Sequence, residues 1–274
     1  MPEKVLPPIE IDIVIISYAK NDHLHNQTIT GIKTLCKSEN ATKVKFNAII
    51  VESNKDISYD DMEDLGHNIK TVYCDKEFGY HTYLNHGLKQ GNAEWTCLCN
   101  NDLVFKPNWA TTILQVFTVQ REHNPTQFEY LSASPANPKE QWHKANLGKL
   151  GIGYGVRQQV AGWCLFQSRN VFEKIGGLEE RIKFWFCDNW YSIALQYHKI
   201  PHLFIGTSIV EHHNEIEGTT TKDVDLSAAE KHKMTFGAGD EFREIVREML
   251  GDPEWGNPSK ETLEQLKKQG KTWY

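Results

Sequence analysis

The sequence predicts an α/β protein whose first half is Rossmann-like and mostly parallel. Two observations carry this. Over about the first hundred residues, short β-branched runs alternate with helical spacing in the order strand, helix, strand, strand, helix, strand. The strand-like runs also end in polar, ligand-type residues, which suits an open sheet that binds ligands outside its carboxyl ends. The clearest case is Glu94 to Phe105, where the apolar run Trp95 to Cys99 stops at Asn100, Asn101 and Asp102. No sheet interior tolerates such a polar group of three, so Asp102 is expected at a cation or phosphate.

The elements follow in order. Met1 to Glu10, with Pro7 and Pro8, reads as an extended lead-in. Ile11 to Ser17 is nearly continuous apolar and β-branched, as a central strand covered on both faces should be. Asn21 or Asp22 caps the next helix, whose face is Leu24, Thr28, Ile32 and Leu35. Ala48 to Val51 is a strand closed by Glu52, Ser53 and Asn54; Tyr59 to Gly66 is acidic and reads as a short solvated helix; Thr71 to Cys74 is a third strand. Gly79 to Gln90 has helical spacing, and Trp109 to Gln120 is an amphipathic helix carrying Ile113, Leu114, Val116 and Phe117. Tyr130 to Ser134 is a short strand, and Pro135 to Gln159 reads as a mobile loop. Its run Gly151-Ile-Gly-Tyr-Gly155 lacks the spacing and the following helix of a dinucleotide fingerprint.

Val160 to Gln167 reads as a strand interrupted at Gly162, and Ser168 to Lys174 as a helix stopped by Gly176 and Gly177. Phe184, Trp185, Phe186, Trp190 and Tyr191 surround Asp188 on a helix running toward Tyr197. Leu203 to Val210 is a last strand ending in Glu211, His212, His213 and Asn214. Beyond Gly218 the chain is helical and charged, with Phe242, Ile245, Val246, Met249 and Leu250 on one face and a stop at Gly251 and Pro253. The organisation expected is one catalytic domain over residues 1–218, with halves at about 11–105 and 106–218, and a helical extension over 219–274.

Composition narrows the class. A formal net charge of -6 and a pI near 6.1 argue against nucleic-acid binding through bulk charge. Apolar runs fall short of the roughly 18 residues of a membrane span, and the start lacks a charged-then-apolar leader, so the expectation is a cytoplasmic enzyme. The six cysteines have no paired CxxC spacing and read as reduced, buried thiols.

Ordered landmarks then resemble a known family. These are Ile13-Val-Ile-Ile-Ser-Tyr, Ile49-Ile-Val-Glu-Ser-Asn, Asn85-His-Gly, Leu98-Cys-Asn-Asn-Asp-Leu-Val-Phe, Ala161-Gly-Trp-Cys-Leu, and Ile175-Gly-Gly-Leu-Glu followed by Asp188. Over about Ile11 to Asn214 the chain resembles family 2 glycosyltransferases of the GT-A fold, and Asn-Asn-Asp resembles the variant DxD motif of its rhamnosyltransferase-like members. The resemblance implies transfer of a hexosyl or pentosyl group from a nucleotide-diphosphate sugar to an acceptor, with inversion and a divalent metal, Mn2+ or Mg2+. It puts Ser17, Tyr18, Ala19, Glu52, Asn85, Asn100, Asn101 and Asp102 on the donor, and His212 or His213 beside Asp102 at the metal.

The chemistry agrees with that assignment. The leaving diphosphate gathers negative charge, which a cation offsets, and such a cation takes as few as one protein carboxylate besides phosphate and water. Asp188 is the candidate base for the acceptor hydroxyl, its aromatic surroundings favouring a raised pKa. Trp163, Trp185 and Trp190 are candidate acceptor-stacking rings. Two alternatives stand beside this reading. One is a phage-type transferase acting on a hydroxymethylated DNA base, with Lys139, Lys144, Lys149, Arg157, Lys267, Lys268 and Lys271 on phosphates. The other is a nucleotide-sugar-binding module that has lost catalysis, motivated by Asn100 and Cys187 where family members often carry acids.

Overall fold

The computed structural model describes residues 7–212 and 238–256, together with positions 264, 265 and 268. Among these, nine strands form one sheet in the order β3-β2-β1-β4-β8-β6-β9-β5, with β7 also paired to β9. The strands are β1 (Ile9–Ser17), β2 (Val44–Glu52), β3 (Asn68–Tyr73), β4 (Trp95–Cys99), β5 (Leu103–Phe105), β6 (Ser132–Ala136), β7 (Leu150–Ile152), β8 (Cys164–Ser168) and β9 (His202–His212). The first four are parallel, as the alternating pattern predicts. Beyond β4 the sheet turns mixed: β8 is antiparallel to β4 and to β6, β6 is parallel to β9, and β5 and β7 run antiparallel to β9.

The central strands read as apolar without interruption because both of their faces are covered. In β1, Ile11, Ile13 and Ile15 point into one core with Ile32, Leu35 and Phe117, while Val14 points into a second with Leu84, Leu195 and Val246. On the first face lie α1 (Asp22–Ser38) and α3 (Trp109–His123). The second is covered by α2 (Tyr80–Leu88), α5 (Asn170–Ile175), α6 (Cys187–Tyr197) and α7 (Ala238–Leu250). Between α3 and α5 runs the short helix α4 (Gln141–Ala145). Asn21 caps α1 through its side chain, accepting from the Leu24 N–H at 2.9 Å. Phe242, Ile245 and Val246 of α7 are buried in the second core, as their spacing predicts.

Four expectations are corrected. Tyr59 to Gly66 forms turns instead of a helix, and Tyr59 is buried, because its hydroxyl reaches back to the end of β2. Pro135 to Gln159 is structured: it contains the end of β6, α4 and β7, and buries Asn137 and His143. Its glycines and prolines mask those elements, all of them five residues or shorter. The strand expected from Val160 begins only at Cys164, after Gly162. β5, three residues long, escapes detection because it follows the polar Asn-Asn-Asp turn. All six cysteines are unpaired and buried, as expected. His213, Gly218 and the first residues of the proposed extension lie outside the described residues.

The apolar run of β1 also hides a buried charge. Asp12 is fully buried and accepts from the Ala93 N–H at 2.9 Å and the Asn47 amide at 3.0 Å, and it pairs with the Arg169 guanidinium. Gly91 packs directly on this carboxylate; a Cβ there would lie 2.1 Å from Asp12 Oδ2. The pair ties β1 to the connection into α5, so Asp12→Ala leaves the Ala93 N–H without its acceptor and Arg169, which keeps only the Ala93 and Leu88 carbonyls, without its counter-ion. Breaking one side of such a pair costs about 3–5 kcal/mol. Urea unfolding of Asp12→Ala measures it, and a loss below about 1 kcal/mol would show that the pair holds nothing.

Candidate active site

The carboxyl ends of β1, β2 and β4 lie side by side because of their register. Ser17 is paired with Glu52 across β1 and β2, and Ile15 with Cys99 across β1 and β4, so Asn100 to Asp102 emerge next to Ser17. A continuous hydrogen-bond chain joins these ends. Asn101 donates to Thr28 Oγ1 at 3.0 Å, Thr28 bonds Ser17 Oγ at 2.8 Å, and the Tyr59 hydroxyl lies 3.4 Å from Ser17 and donates to Glu52 Oε2 at 3.1 Å. The other oxygen of Glu52 accepts the Ala19 and Asn54 N–H groups at 3.0 and 2.8 Å. Glu52 is thus a buried acceptor that shapes the loop after β1. Tyr18, between the anchored Ser17 and Ala19, is 51 % exposed, with the Lys20 ammonium 5.9 Å from the centre of its ring.

The antiparallel pairing of β5 with β9 sets Leu103 opposite His212, and so brings the neighbouring Asp102 and His212 together. Asp102 Oδ1 lies 3.2 Å from His212 Nε2, yet this oxygen is buried and makes no hydrogen bond. An orphaned carboxylate oxygen beside an imidazole nitrogen is the donor set of a divalent cation such as Mn2+ or Mg2+, and the residues fit one. His212 is held from behind by Trp163, whose ring stacks on it at 5.7 Å and 16° and whose Nε1 donates to Glu140 at 3.1 Å. Asn100 lies 3.4 Å from His212 and accepts the Tyr80 hydroxyl at 2.8 Å.

Tyr80, Asn100, Glu140, Trp163 and His212 line a cavity of about 880 Å³ that Trp185 and Asp188 also line, and Asp102 touches it through His212. Asp188 sits in the first turn of α6, just after Phe186 in a left-handed backbone at φ 67°. The Phe186 ring is clamped by Phe242 of α7, stacked at 5.0 Å. Burial pushes the Asp188 carboxyl above its ordinary value, with the Asn189 N–H and Arg157 acting the other way. Gly162 lets the two walls approach: a Cβ there would lie 2.7 Å from the Asp188 Cβ.

The structure therefore gathers Asn100, Asp102, His212, Trp163, Trp185 and Asp188 around one site, with Ser17, Ala19, Glu52 and Asn101 in the adjoining network. Asn85 and Trp190 stand apart. The Asn85 amide is fully engaged with the Leu178 backbone, donating at 2.8 Å and accepting at 3.1 Å. Trp190 is 4 % exposed in the second core, against His81, and does not line the cavity. Its helical position forces this, since it follows Asp188 by two residues and so points away from it. Of the candidate phosphate contacts, Lys139 lies 3.9 Å from Glu211, and Lys267 and Lys271 are outside the described residues. Sequence reasoning missed Tyr59, Tyr80 and Glu140. Tyr59 and Glu140 stood in segments read as a solvated helix and a loop, and Tyr80 passed as one helical-face residue.

The sheet order and the polar strand ends opening on a cleft define a GT-A transferase. The model of glycosyl transferase family 2 matches residues 12–175, more than half of the chain, and the chain belongs to that family. It is thus a glycosyltransferase that uses a nucleotide-sugar donor. No curated protein is significantly similar to it. Asp188 and His212 lie beyond the matched segment. No helix among the described residues is long and apolar enough to cross a membrane.

Two buried histidines make the stability of the fold pH-dependent. His202 bonds Ser132 at 2.9 Å, Ser134 at 3.1 Å and the Gln159 carbonyl at 3.0 Å, and burial pushes its pKa down to about 4. His81, under α6, is pushed to about 4 for the same reason. In the unfolded chain both titrate near 6.5, so between about pH 4 and 6.5 the unfolded state binds protons that the folded state does not. Their contribution is complete above about pH 6.5 and is lost as the pH falls toward 4, at up to about 1.4 kcal/mol per pH unit for each. Thermal melts between about pH 7.5 and 4.5 on the wild type and His202→Asn check this. The variant should show the shallower pH dependence, and equal slopes would contradict the assignment.

Proposed function

We propose that the protein is a metal-dependent, inverting glycosyltransferase that moves a hexosyl or pentosyl group from a nucleoside-diphosphate sugar to an acceptor hydroxyl. The observation that supports it most is the buried Oδ1 of Asp102, without a hydrogen bond and 3.2 Å from His212, which lines one cavity with Asp188. Asn-Asn-Asp then serves as a DxD variant of the rhamnosyltransferase-like type, with Asp102 as the ligating acid and Asn100 holding Tyr80 and His212. A bound Mn2+ or Mg2+ would supply charge neutralisation for the departing diphosphate, held by Asp102 and His212.

In this reading the remaining residues position and deprotonate. The Ser17–Ala19 and Glu52 network receives the nucleoside. Trp163 keeps the His212 ring in place, and Trp185 offers a face to the acceptor. The acceptor oxygen attacks the anomeric carbon as the bond to the diphosphate oxygen breaks; the bond's electron pair leaves with the diphosphate, and the acceptor proton passes to Asp188. A buried carboxylate with a raised pKa is a better base than an exposed one. The inactive-module reading gains nothing from the two departures, since Asn100 is engaged with Tyr80 and Cys187, the first residue of α6, is buried.

The test is donor consumption from UDP-, GDP- and dTDP-sugars with MnCl2, before and after EDTA. Loss of consumption with EDTA is expected; undiminished consumption would remove the metal. Asp188→Asn should lower transfer by about two to four orders of magnitude while nucleotide affinity stays near wild type. Because the base acts only when ionised, the wild-type rate should rise with pH through a pKa above the usual carboxylate range, and this limb should vanish in the variant. A near wild-type rate in Asp188→Asn would assign the base elsewhere.

A further inference from the structure

Of the six arginines in the chain, five are engaged through their side chains. Arg121 pairs with Glu94 at 3.6 Å, Arg169 with Asp12, Arg181 with Glu179 at 2.9 Å and Arg243 with Asp240, while Arg247 donates to the Trp255 carbonyl at 2.9 Å. Among the described residues the guanidinium of Arg157 has no hydrogen bond and no ion pair, and it lines the catalytic cavity.

Its backbone is built to present it. Arg157 adopts φ 62°, in the left-handed region that disfavours a long side chain. It stands at the tip of a tight loop closed by the Arg157 N–H to the Val160 carbonyl at 2.9 Å and the Val160 N–H to the Gly155 carbonyl at 3.0 Å. Two fully buried histidines pin this loop to the core, His143 through the Gln158 carbonyl at 2.8 Å and His202 through the Gln159 carbonyl at 3.0 Å. Such strain persists only where the surroundings over-determine it. The loop runs directly into Gly162, the residue packed on Asp188, so Arg157 stands on the acceptor side of the cavity, and its charge opposes the effect of burial on Asp188.

We propose that Arg157 reads an anionic group, a carboxylate or phosphate, carried by a saccharide acceptor next to the hydroxyl that Asp188 deprotonates. A guanidinium with its fork free pairs such groups in bidentate fashion. Arg157 is the one lysine or arginine among the described residues that line the cavity, and a single guanidinium there suits one anionic group better than a polyanion. The inference rests on the glycosyltransferase reading above, whose own test, donor consumption, needs no acceptor.

Once a consumed donor is identified, transfer is measured to matched pairs: methyl glucuronide against methyl glucoside, sialic acid methyl glycoside against its methyl ester, and glucose 6-phosphate against glucose. In wild type at least one anionic member should be preferred about tenfold or more over its neutral partner. Arg157→Asn, which accepts the left-handed backbone and so keeps the loop, should bring that ratio near one, and Arg157→Lys should keep part of it. The Tm of Arg157→Asn should equal or exceed that of the wild type, separating a recognition role from a structural one. The proposal fails if no anionic member outperforms its partner, if the preference survives in Arg157→Asn, or if duplex DNA is glycosylated in preference to every saccharide. Absence of consumption of any donor would instead strike the underlying glycosyltransferase reading.

Discussion

The pairing of three-residue β5 with the end of β9 is the constraint on which the site depends. Leu103 opposite His212 is a matter of register, and a slip by one residue would turn His212 to the other face of the strand. That register brings a histidine from more than a hundred residues along the chain to within 3.2 Å of Asp102. Everything nearby reinforces it: Trp163 stacks on the imidazole, Glu140 holds the indole, and the Lys106 ammonium pairs with Glu211 at 2.7 Å on the neighbouring position of β9. The Asn100 N–H donates to the Trp163 carbonyl at 3.0 Å, tying the strand-end turn to the same wall.

Around that point the two cores divide the work. The core holding α1 and α3 anchors the polar ends of β1, β2 and β4, while the core of α2, α5, α6 and α7 carries Asp188. The cavity opens where both meet. Asp12 and Arg169 fasten the sheet between them, and Phe242 of α7 fixes the Phe186 turn that aims α6. The free Arg157 stands out against neighbouring groups that are matched: Glu140 accepts from Trp163 and Asn137, and Glu211 lies between Lys106 and Lys139.

Much of this was legible in the sequence. The alternating strands and helices of the first half, the Asn21 cap, the apolar face of α7 and the polar ends of β1, β2 and β4 all follow from periodicity and local chemistry. Asp102 and Asp188 stood out because each interrupts apolar surroundings. What stayed hidden depends on tertiary contact. Glu52 reads as a donor contact at a strand end, and its burial shows only once Tyr59 is seen folded over it; Asp12 reads as a blemish in an apolar strand until Arg169 arrives from 157 residues away. Short elements such as β5, α4 and β7 have too few residues to show a period, and each is held by pairing or packing rather than propensity. Trp190 read as an acceptor ring because aromatic clustering does not tell which face of a helix is buried.

The most direct measurement is anomalous scattering at the manganese edge from crystals grown with MnCl2 and each of UDP, GDP and dTDP. A peak within ligating distance of Asp102 and His212 is the predicted result. A nucleotide bound with no manganese there, or manganese held elsewhere in the chain, would contradict the account of how this fold handles its leaving group.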